Sequence, residues 1–380
     1  MSEAPLDGLL VIDMAQFLSG PSAALRLADM GARVIKVERP GTGDICRTLY
    51  LSDTDIAGDS TLFHAINRGK ESLAVDLKNP ADLVRVRRLL GRADVVIQNF
   101  RPGVAERLGI GPDTLLEEHP GLIVATISGY GETGSWVDWP GQDLLAQALS
   151  GVTWLGGDAD DGPVPVGLSI ADMLAGHVLT EGILAALVRR GRTGKGGLVQ
   201  TSLLEAIVDF QFEVLTTHLN DGGRPPQRAR DRNAHAYLGA PYGIYRTGDG
   251  WLALAMTPLE KLGPLLDLDL QNAQAFADRD RVKAVIAERL AIHSTDFWLE
   301  RLRAHDIWCA PVLDWPALLG SEAFRRLDML QQVARGDTAI TTTRAPWRFD
   351  GARPANGAGA PGVGEHSARI RCEFGLDEKE

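Results

Sequence analysis

Short apolar runs and helically spaced apolar residues alternate along the first part of the chain. Leu9 to Asp13 is an apolar run closed by an aspartate, which predicts a buried strand. Pro21 to Met30 has the spacing of a helix with proline at its first position, and Gly31 ends it. Val34 to Val37 predicts a second strand. This order of elements predicts a right-handed strand–helix–strand unit with parallel strands.

The same pattern continues to about residue 130. Further strands are predicted at Leu73 to Leu77, Asp94 to Gln98 and Leu122 to Thr126, with helical segments between them. Polar or glycine-bearing loops follow several of these strands, as in Asn99 to Gly103. The pattern predicts an α/β fold with a parallel sheet whose ligand-binding loops gather at the carboxyl ends of the strands.

Ser169 to Arg190 predicts one long helix with an apolar face. Asp172 falls in its first turn, where the helix dipole and free N–H groups favour a carboxylate, and Ser169 is placed to cap it. Gly176 predicts open space beside this carboxylate. An aspartate in a first helical turn is also ordinary capping chemistry, so Asp172 alone does not establish a site.

The pattern changes after residue 200. Leu203 to Leu219 predicts another long apolar helix, and a connector rich in proline, glycine and arginine follows at Asn220 to Arg232. Beyond it, a strand pair and several helices predict a smaller α+β domain. We therefore predict a large α/β domain that begins with residues 1–220, a small domain over 221–321, and a segment, 322–380, that returns to the large domain.

Composition narrows the class of protein. A formal net charge of −11 argues against a nucleic-acid partner. The three cysteines lack metal-ligand spacing, so we predict no metal site, and their small odd number favours reduced thiols in the cytoplasm. The N-terminus lacks the features of a signal peptide. No uninterrupted apolar run reaches the ~18 residues of a membrane span, so no membrane partner is expected.

Cations cluster in the predicted strand-end loops of this acidic chain. Each by itself is better interpreted as a solvated surface charge, but their recurrence favours an anionic, phosphate-bearing ligand. A dinucleotide is disfavoured, because the turn after the first strand has one glycine where the dinucleotide fingerprint requires three. The cations are Lys36, Arg39, Arg68, Lys70, Lys78, Arg101 and Arg107.

Taken together, the motifs resemble the class III CoA-transferase family, which includes formyl-CoA transferase, carnitine CoA-transferase and the 2-methylacyl-CoA racemases. The resemblance spans nearly the whole chain. It is carried, in order, by I-D-M-A-Q-F-L-S-G-P, G-A-R-V-I-K-V-E-R-P-G-T-G-D, N-R-G-K-E-S-L-A-V-D-L-K, N-F-R-P-G, S-G-Y-G-E-T-G, the A-D-M helix, T-G-K-G and a terminal G-E-H.

The resemblance implies a Rossmann-like parallel sheet in a large CoA-binding domain, a smaller α+β domain and an interlocked homodimer. It implies acyl-CoA and a small carboxylic acid as substrates, with coenzyme A as a substrate and no permanently bound cofactor. The nucleophilic carboxylate of the family falls on Asp172. The CoA contacts of the family fall on Phe17, Leu18, Arg39, Val75, Lys78, Asn99, Phe100 and Arg107.

The resemblance therefore implies transfer of CoA through a covalent aspartyl-CoA thioester on Asp172. One alternative is a 2-methylacyl-CoA racemase or epimerase, and another is a CoA-binding protein without catalysis. The racemases carry a histidine base where this chain has Gln142, and glutamine does not exchange protons near neutral pH. The roles of His177 and of the group His235, Tyr237 and Tyr242, near a predicted acceptor pocket, stay open.

Overall fold

The computed structural model describes residues 4–377, which divide into two compact units. Unit one contains residues up to 146, 169–210 and from 326 onward, and unit two contains 147–168 and 211–325. Residues 147–168 thus belong to the second unit, although the sequence pattern predicted them in the large domain. Hydrogen bonds from Ala159 N–H to the Ala229 carbonyl (2.9 Å) and from Asn233 to the Leu155 carbonyl (3.0 Å) tie the segment to this unit.

Short strands occur in both units. They are β1 (Leu10–Asp13), β2 (Arg33–Glu38), β3 (Asp55–Ile56), β4 (Asp59–Ser60), β5 (Glu71–Ala74), β6 (Val95–Gln98), β7 (Ile123–Ser128), β8 (Gly197–Ser202), β9 (Gly243–Arg246), β10 (Trp251–Leu254), β11 (Cys309–Pro311), β12 (Leu330–Arg335) and β13 (Thr338–Thr343).

The helices range from one turn to 24 residues. They are α1 (Ser19–Asp29), α2 (Thr61–Asn67), α3 (Pro80–Leu90), α4 (Val104–Arg107), α5 (Pro112–Glu118), α6 (Asp143–Ser150), α7 (Ile170–Thr193), α8 (Leu203–Asp209), α9 (Phe212–Asn220), α10 (Leu259–Leu265), α11 (Arg279–Leu290), α12 (Thr295–Arg303), α13 (Trp315–Gly320), α14 (Glu322–Leu327) and α15 (Ser367–Glu373).

Unit one is built on a six-stranded parallel sheet in the order β5-β2-β1-β6-β7-β8. The predicted α/β class with a large parallel sheet is therefore confirmed. The inner strands β1, β2, β6 and β7 are almost entirely buried on both faces, which is why they read as continuous apolar runs. The carboxyl ends of β5, β2, β1 and β6 are neighbours, so the loops after these strands meet at one edge of the sheet.

Helix α7 crosses between β7 and β8 and packs on α1, α8 and the sheet. By length and composition alone it is apolar enough to span a membrane, because its charged residues are few enough to leave a long apolar window. The sequence had predicted that no segment is long and apolar enough to span a membrane, and α7 corrects that prediction. Core helices of globular proteins meet the same criterion, and α7 packs against other helices and the sheet, so its length and composition are weak evidence for a membrane span.

The predicted long helix after residue 203 is two helices. Helix α8 ends at Asp209 and α9 begins at Phe212, and the unit boundary falls between Phe210 and Gln211. Apolar spacing is similar on the two sides of the break, so the sequence pattern alone did not reveal it.

Unit two contains an antiparallel sheet in the order β11-β10-β9 that packs with α10, α11 and α12 around its own core. Trp298 lies at the centre of this core, and its indole N–H donates to the Leu290 carbonyl at 2.8 Å. A separate core cluster for each unit is the expected mark of two domains.

Candidate active site

The first turn of α7 is capped by a residue that is distant in the sequence. The Asp143 carboxylate accepts hydrogen bonds from the backbone N–H groups of Ala171 (2.7 Å) and Asp172 (3.1 Å). Ser169 occupies the cap position but makes no side-chain cap bond, so its predicted capping role is wrong. A carboxylate on free helix N–H groups is a favourable arrangement, and here it comes from α6 rather than from the helix itself.

Asp172 is only partly exposed beside this cap. Burial, and secondarily the negative charge of Asp143, raise the pKa of the Asp172 carboxyl to about 7. A hydrogen bond with the Ser19 side chain, at the start of α1, opposes this rise. A carboxylate whose pKa lies near neutrality is typical of catalytic acids, bases and nucleophiles.

Gly176 lies one turn beyond Asp172 and sets how closely α1 and α7 approach. A Cβ atom at this position would lie 2.1 Å from Ser22 Oγ and 2.8 Å from the Ser19 carbonyl oxygen. The space beside Gly176 is therefore filled by α1, which corrects the predicted open space. Close approach of the helices brings the Ser19 hydroxyl to the Asp172 carboxylate.

A small apolar cluster packs at the corner of the site, where the start of α1 meets the first turn of α7. Met173, next to Asp172, packs against a cluster that includes Leu18 from the start of α1 and Phe63 from α2. Leu18 is buried there, so its side chain contributes to packing. The cluster fixes the position of the first turn of α7 relative to α1.

The loop between β1 and α1 is held in a strained conformation. Phe17 has a φ of 65°, a left-handed backbone angle that non-glycine residues rarely adopt. Its N–H donates to Asp44 Oδ1 at 3.2 Å, and the Asn99 side chain pairs with both the N–H (2.9 Å) and the carbonyl (2.8 Å) of Gln16. The Phe17 ring is left 47% exposed at the sheet edge. Strained backbone of this kind clusters at active sites and in the loops that hold ligands.

Three of the predicted ligand-facing cations are instead buried in internal ion pairs. Lys36 Nζ lies 2.7 Å from Asp44, Lys70 Nζ lies 2.8 Å from Asp13, and Arg68 Nη2 lies 2.9 Å from Asp29. Their assignment to an anionic ligand is therefore wrong. Burial of a cation is costly without a paired carboxylate, and the partners here lie up to 57 positions away in the chain.

The remaining predicted CoA contacts divide into three groups. Arg39, Lys78 and Arg107 are exposed near the ends of β2, β5 and β6, in or just after the loops that meet at one edge of the sheet. Val75 is buried, so it can offer a ligand only its backbone. Phe100 is partly buried beside Asn99. Arg101, a further cation flagged in the sequence, is exposed as well.

This arrangement of site and sheet can be compared with known proteins. Residues 6–367 match the sequence profile of CoA-transferase family III. The chain belongs to this family. The CoA-transferase is 33% identical to the "Probable fatty acyl-CoA transferase Rv3272" of Mycobacterium tuberculosis over 96% of both chains. It is 39% identical to the "Succinate--glutarate CoA-transferase" of Agrobacterium fabrum, over 99% of this chain and 97% of the relative.

A solved structure supports the same assignment. The CoA-transferase superposes on a CAIB/BAIF family protein from Brucella suis with a TM-score of 0.84 and 31% identity. The match covers 98% of this chain and 100% of the other. The mixed α/β fold with its large parallel sheet is thus that of the family.

The aromatic residues singled out in the second unit of the CoA-transferase form a cluster. The His235 ring packs edge-on against Tyr237 and Tyr242, with centroids 6.4 Å and 6.3 Å apart, and His235 Nε2 lies 2.9 Å from Glu213 Oε1. In unit one, His177 Nδ1 pairs with the Met173 carbonyl of its own helix at 2.6 Å. These contacts give each histidine a structural partner.

Two residues of the corner were not assigned a role from the sequence. Asp143 stands in the Gly141–Gln142–Asp143 segment, which was considered only for the absence of histidine, and Ser19 stands in the first motif. Neither has a local pattern that links it to Asp172. Within residues 4–377, no group of His, Cys, Asp and Glu side chains has the geometry of a metal site.

Proposed function

We propose that this enzyme is an acyl-CoA:carboxylate CoA-transferase that works through a covalent aspartyl-CoA thioester on Asp172. The observation that carries the proposal is the Asp172 carboxylate at the N-terminus of α7, with its helix capped by Asp143 and its side chain held by Ser19. These contacts hold the Asp172 carboxylate in a fixed position.

The chemistry requires only a carboxylate and a thioester. Asp172 attacks the acyl carbonyl of acyl-CoA, which forms a mixed anhydride and releases CoA thiolate. The thiolate attacks the aspartyl carbonyl, which forms aspartyl-CoA and releases the first acid. The acceptor carboxylate then attacks the carbonyl of aspartyl-CoA, which forms a second mixed anhydride and releases CoA thiolate again. The thiolate attacks the acceptor carbonyl of this anhydride, which forms the new acyl-CoA and releases the aspartate. The carboxylate of Asp172 is regenerated.

Binding of CoA is proposed at the edge of the sheet formed by the ends of β5, β2, β1 and β6. Exposed Arg39, Lys78 and Arg107 would pair with the phosphates, since guanidinium and ammonium groups bind phosphate through charge-assisted hydrogen bonds. Phe17 and Phe100 would contact apolar parts of CoA. Leu18, Val75 and Asn99 would fix the conformation of the backbone that lines the CoA site.

The acceptor is proposed to be a small dicarboxylate. The relative from Agrobacterium fabrum is named for transfer between succinate and glutarate, which are both dicarboxylates. We also propose a homodimer, as the family resemblance implies. Turnover of a panel of CoA esters with a panel of acids, followed by mass spectrometry, identifies the pair that is used. Light scattering of the purified protein measures the oligomeric state.

Trapping during turnover tests the mechanism. Incubation with succinyl-CoA and borohydride or hydroxylamine should modify the peptide that contains Asp172. Asp172→Ala should abolish both trapping and transfer, while exposed Asp209→Asn in the same unit should change neither. Transfer at the wild-type rate by Asp172→Ala, or turnover without any modified peptide, would refute the proposal.

A racemase is the second candidate, because a carboxyl with a pKa of about 7 also suits proton transfer. A racemase would exchange the α-proton of a 2-methylacyl-CoA for deuterium from the solvent and would leave no trapped aspartyl-CoA. A transferase gives the opposite pair of results. The two readouts together therefore distinguish the candidates.

A further inference from the structure

We infer that unit two carries a binding site of its own for an amphipathic carboxylate, a molecule with an apolar body and one carboxylate group. A cavity of about 810 Å³ is lined entirely by residues of that unit. Sites for small organic ligands commonly have volumes of this order and combine apolar walls with a few fixed polar groups. None of the residues proposed above for CoA binding or for the covalent step lines this cavity, whereas Tyr237, which the sequence placed near a predicted acceptor pocket, does line it.

The apolar part of the walls comes from three parts of the unit. Trp154 and Leu155 come from the segment that follows α6, Val214 and Leu215 from α9, and Tyr237 from the loop before β9. Trp154 is 53% exposed although it lines a concave surface. Apolar area of this kind loses contact with water when an apolar group of a ligand enters, which favours binding.

Arg228 supplies the charge. Its Nη1 donates to the carbonyls of Gly156 (2.8 Å) and Gly162 (3.0 Å), and its Nη2 donates to the Asp161 carbonyl. The guanidinium therefore has a fixed position, with its centre 5.8 Å from the Trp154 ring. No carboxylate among residues 4–377 lies within ion-pair distance of it, so no direct ion pair occupies the guanidinium.

The N–H groups that Arg228 has left for a ligand match the two oxygens of a carboxylate. A guanidinium has five N–H groups, and three of those of Arg228 are used by backbone carbonyls. The Nε–H and one Nη2–H are left, and two N–H groups on one guanidinium bind the two oxygens of a carboxylate.

The other charges of the cavity do not compete for this role. Arg279 is 8% exposed, its Nη1 donates to the Gln227 carbonyl at 2.6 Å, and its Nε lies 3.7 Å from Asp280 Oδ1. Arg279 and Asp280 thus neutralise each other at the wall. The surplus charge is that of Arg228, so the cavity selects a single negative charge over a neutral or cationic head group.

Calorimetry with decanoate, decanol and decylamine tests the inference on the purified full-length protein. Decanoate should bind with saturation, and about tenfold or more tightly than either of the other two, because they lack the group that pairs with Arg228. Absence of saturable decanoate binding, or equal affinity for decanoate and decanol, would overturn it.

Variants locate the site. Arg228→Met should weaken decanoate about tenfold or more and leave decanol unchanged, and Arg228→Lys should restore part of the affinity. Leu215→Trp should weaken both ligands by filling the cavity while leaving Arg228 intact. Exposed Arg246→Met, on β9, is the matched control and should change nothing. Full affinity in both Arg228→Met and Leu215→Trp, with folding confirmed by circular dichroism, refutes the site.

Asp172→Ala separates this inference from the proposed function. The variant should bind decanoate with wild-type affinity although it no longer transfers CoA. If decanoate binding is lost in Asp172→Ala, or if CoA displaces decanoate competitively, decanoate occupies the transfer site and the separate site does not exist.

Discussion

At the scale of single residues, Asp143 has two opposing effects on the site of Asp172. Asp143 stabilises the first turn of α7 through two backbone N–H groups, and its charge makes ionisation of Asp172 harder. In the proposed mechanism the ionised form of Asp172 is the nucleophile, so burial, and secondarily the charge of Asp143, would set the pH at which it reacts.

The rate of CoA transfer should therefore rise with pH through about 7 in the wild type, because the Asp172 carboxyl loses its proton in that range. Asp143→Asn should move this limb to lower pH, since it removes a like charge while its amide oxygen still accepts the two cap bonds. The pH dependence of kcat measures both. If kcat of Asp143→Asn rises over the same pH range as in the wild type, the charge of Asp143 does not affect the pKa of Asp172.

The free energy of unfolding should also depend on the ionisation of Asp172. The pKa of Asp172 is raised on folding, so its stabilising contribution is complete below the unfolded pKa and is lost as pH rises towards about 7. Asp172→Asn should raise the free energy of unfolding at pH 8 by at most roughly 4 kcal/mol, reduced by partial exposure, and should have little effect at pH 4. Urea unfolding at the two pH values measures this. An equal effect at both would contradict it.

At the scale of elements, the site depends on how closely α1 and α7 pack. The contact is made through Gly176, whose missing side chain leaves room for Ser22 and for the Ser19 carbonyl. Ser19 reaches Asp172 only because the helices approach so closely. The same crossing buries Leu18 against Met173 and Phe63.

Gly176→Ala should therefore destabilise the protein by about 1–3 kcal/mol, as expected for an added methyl group in a packed core, and should reduce transfer. Gly191→Ala in the same helix is the control, because a Cβ atom there meets nothing within 4 Å. The control should stabilise the protein by up to about 1 kcal/mol. Thermal unfolding compares the two, and equal shifts would show that the crossing is not tight.

At the scale of the whole molecule, buried charges connect distant parts of unit one. Arg47 pairs with Glu38 at 2.7 Å and with Asp59 at 2.7 Å, and it also donates to the Pro361 carbonyl. Glu38 further accepts from Ser72, and the backbone N–H of Ser72 donates to His366. The network joins the C-terminal segment to β2 and to the edge strand β5.

This network should make the protein sensitive to acid. Burial acts to raise the pKa of Glu38, but hydrogen bonds and charge from Arg47 outweigh it and lower the pKa. Its contribution to stability is then present above the unfolded pKa, near 4.5, and is lost as pH falls through the lower folded value.

Glu38→Gln should cost about 3–5 kcal/mol at pH 7, because it leaves Arg47 short of a buried partner, and should unfold with a weaker pH dependence below pH 5. Exposed Glu117→Gln is the control and should follow the wild type. Urea unfolding between pH 7 and pH 3 measures both. A wild-type stability of Glu38→Gln at pH 7 would contradict the role of the network.

Local pattern was enough to predict the parallel sheet, the strand–helix–strand unit at the N-terminus and the position of Asp172 at the start of a long helix. These features depend on residues close in sequence, where apolar spacing and helix-start chemistry act directly. The sequence motifs likewise identified the family, which the comparison confirmed.

Tertiary structure decided which polar groups meet. Asp143 caps α7 from 29 positions away, and Lys36, Arg68 and Lys70 pair inside the protein although their sequence context resembles that of ligand-binding cations. The assignment of residues 147–168 to the second unit, and the break between α8 and α9, also required the fold. A residue type specifies the charge it carries, but burial and distance determine whether that charge meets a ligand or another side chain, and both arise only when the chain has folded.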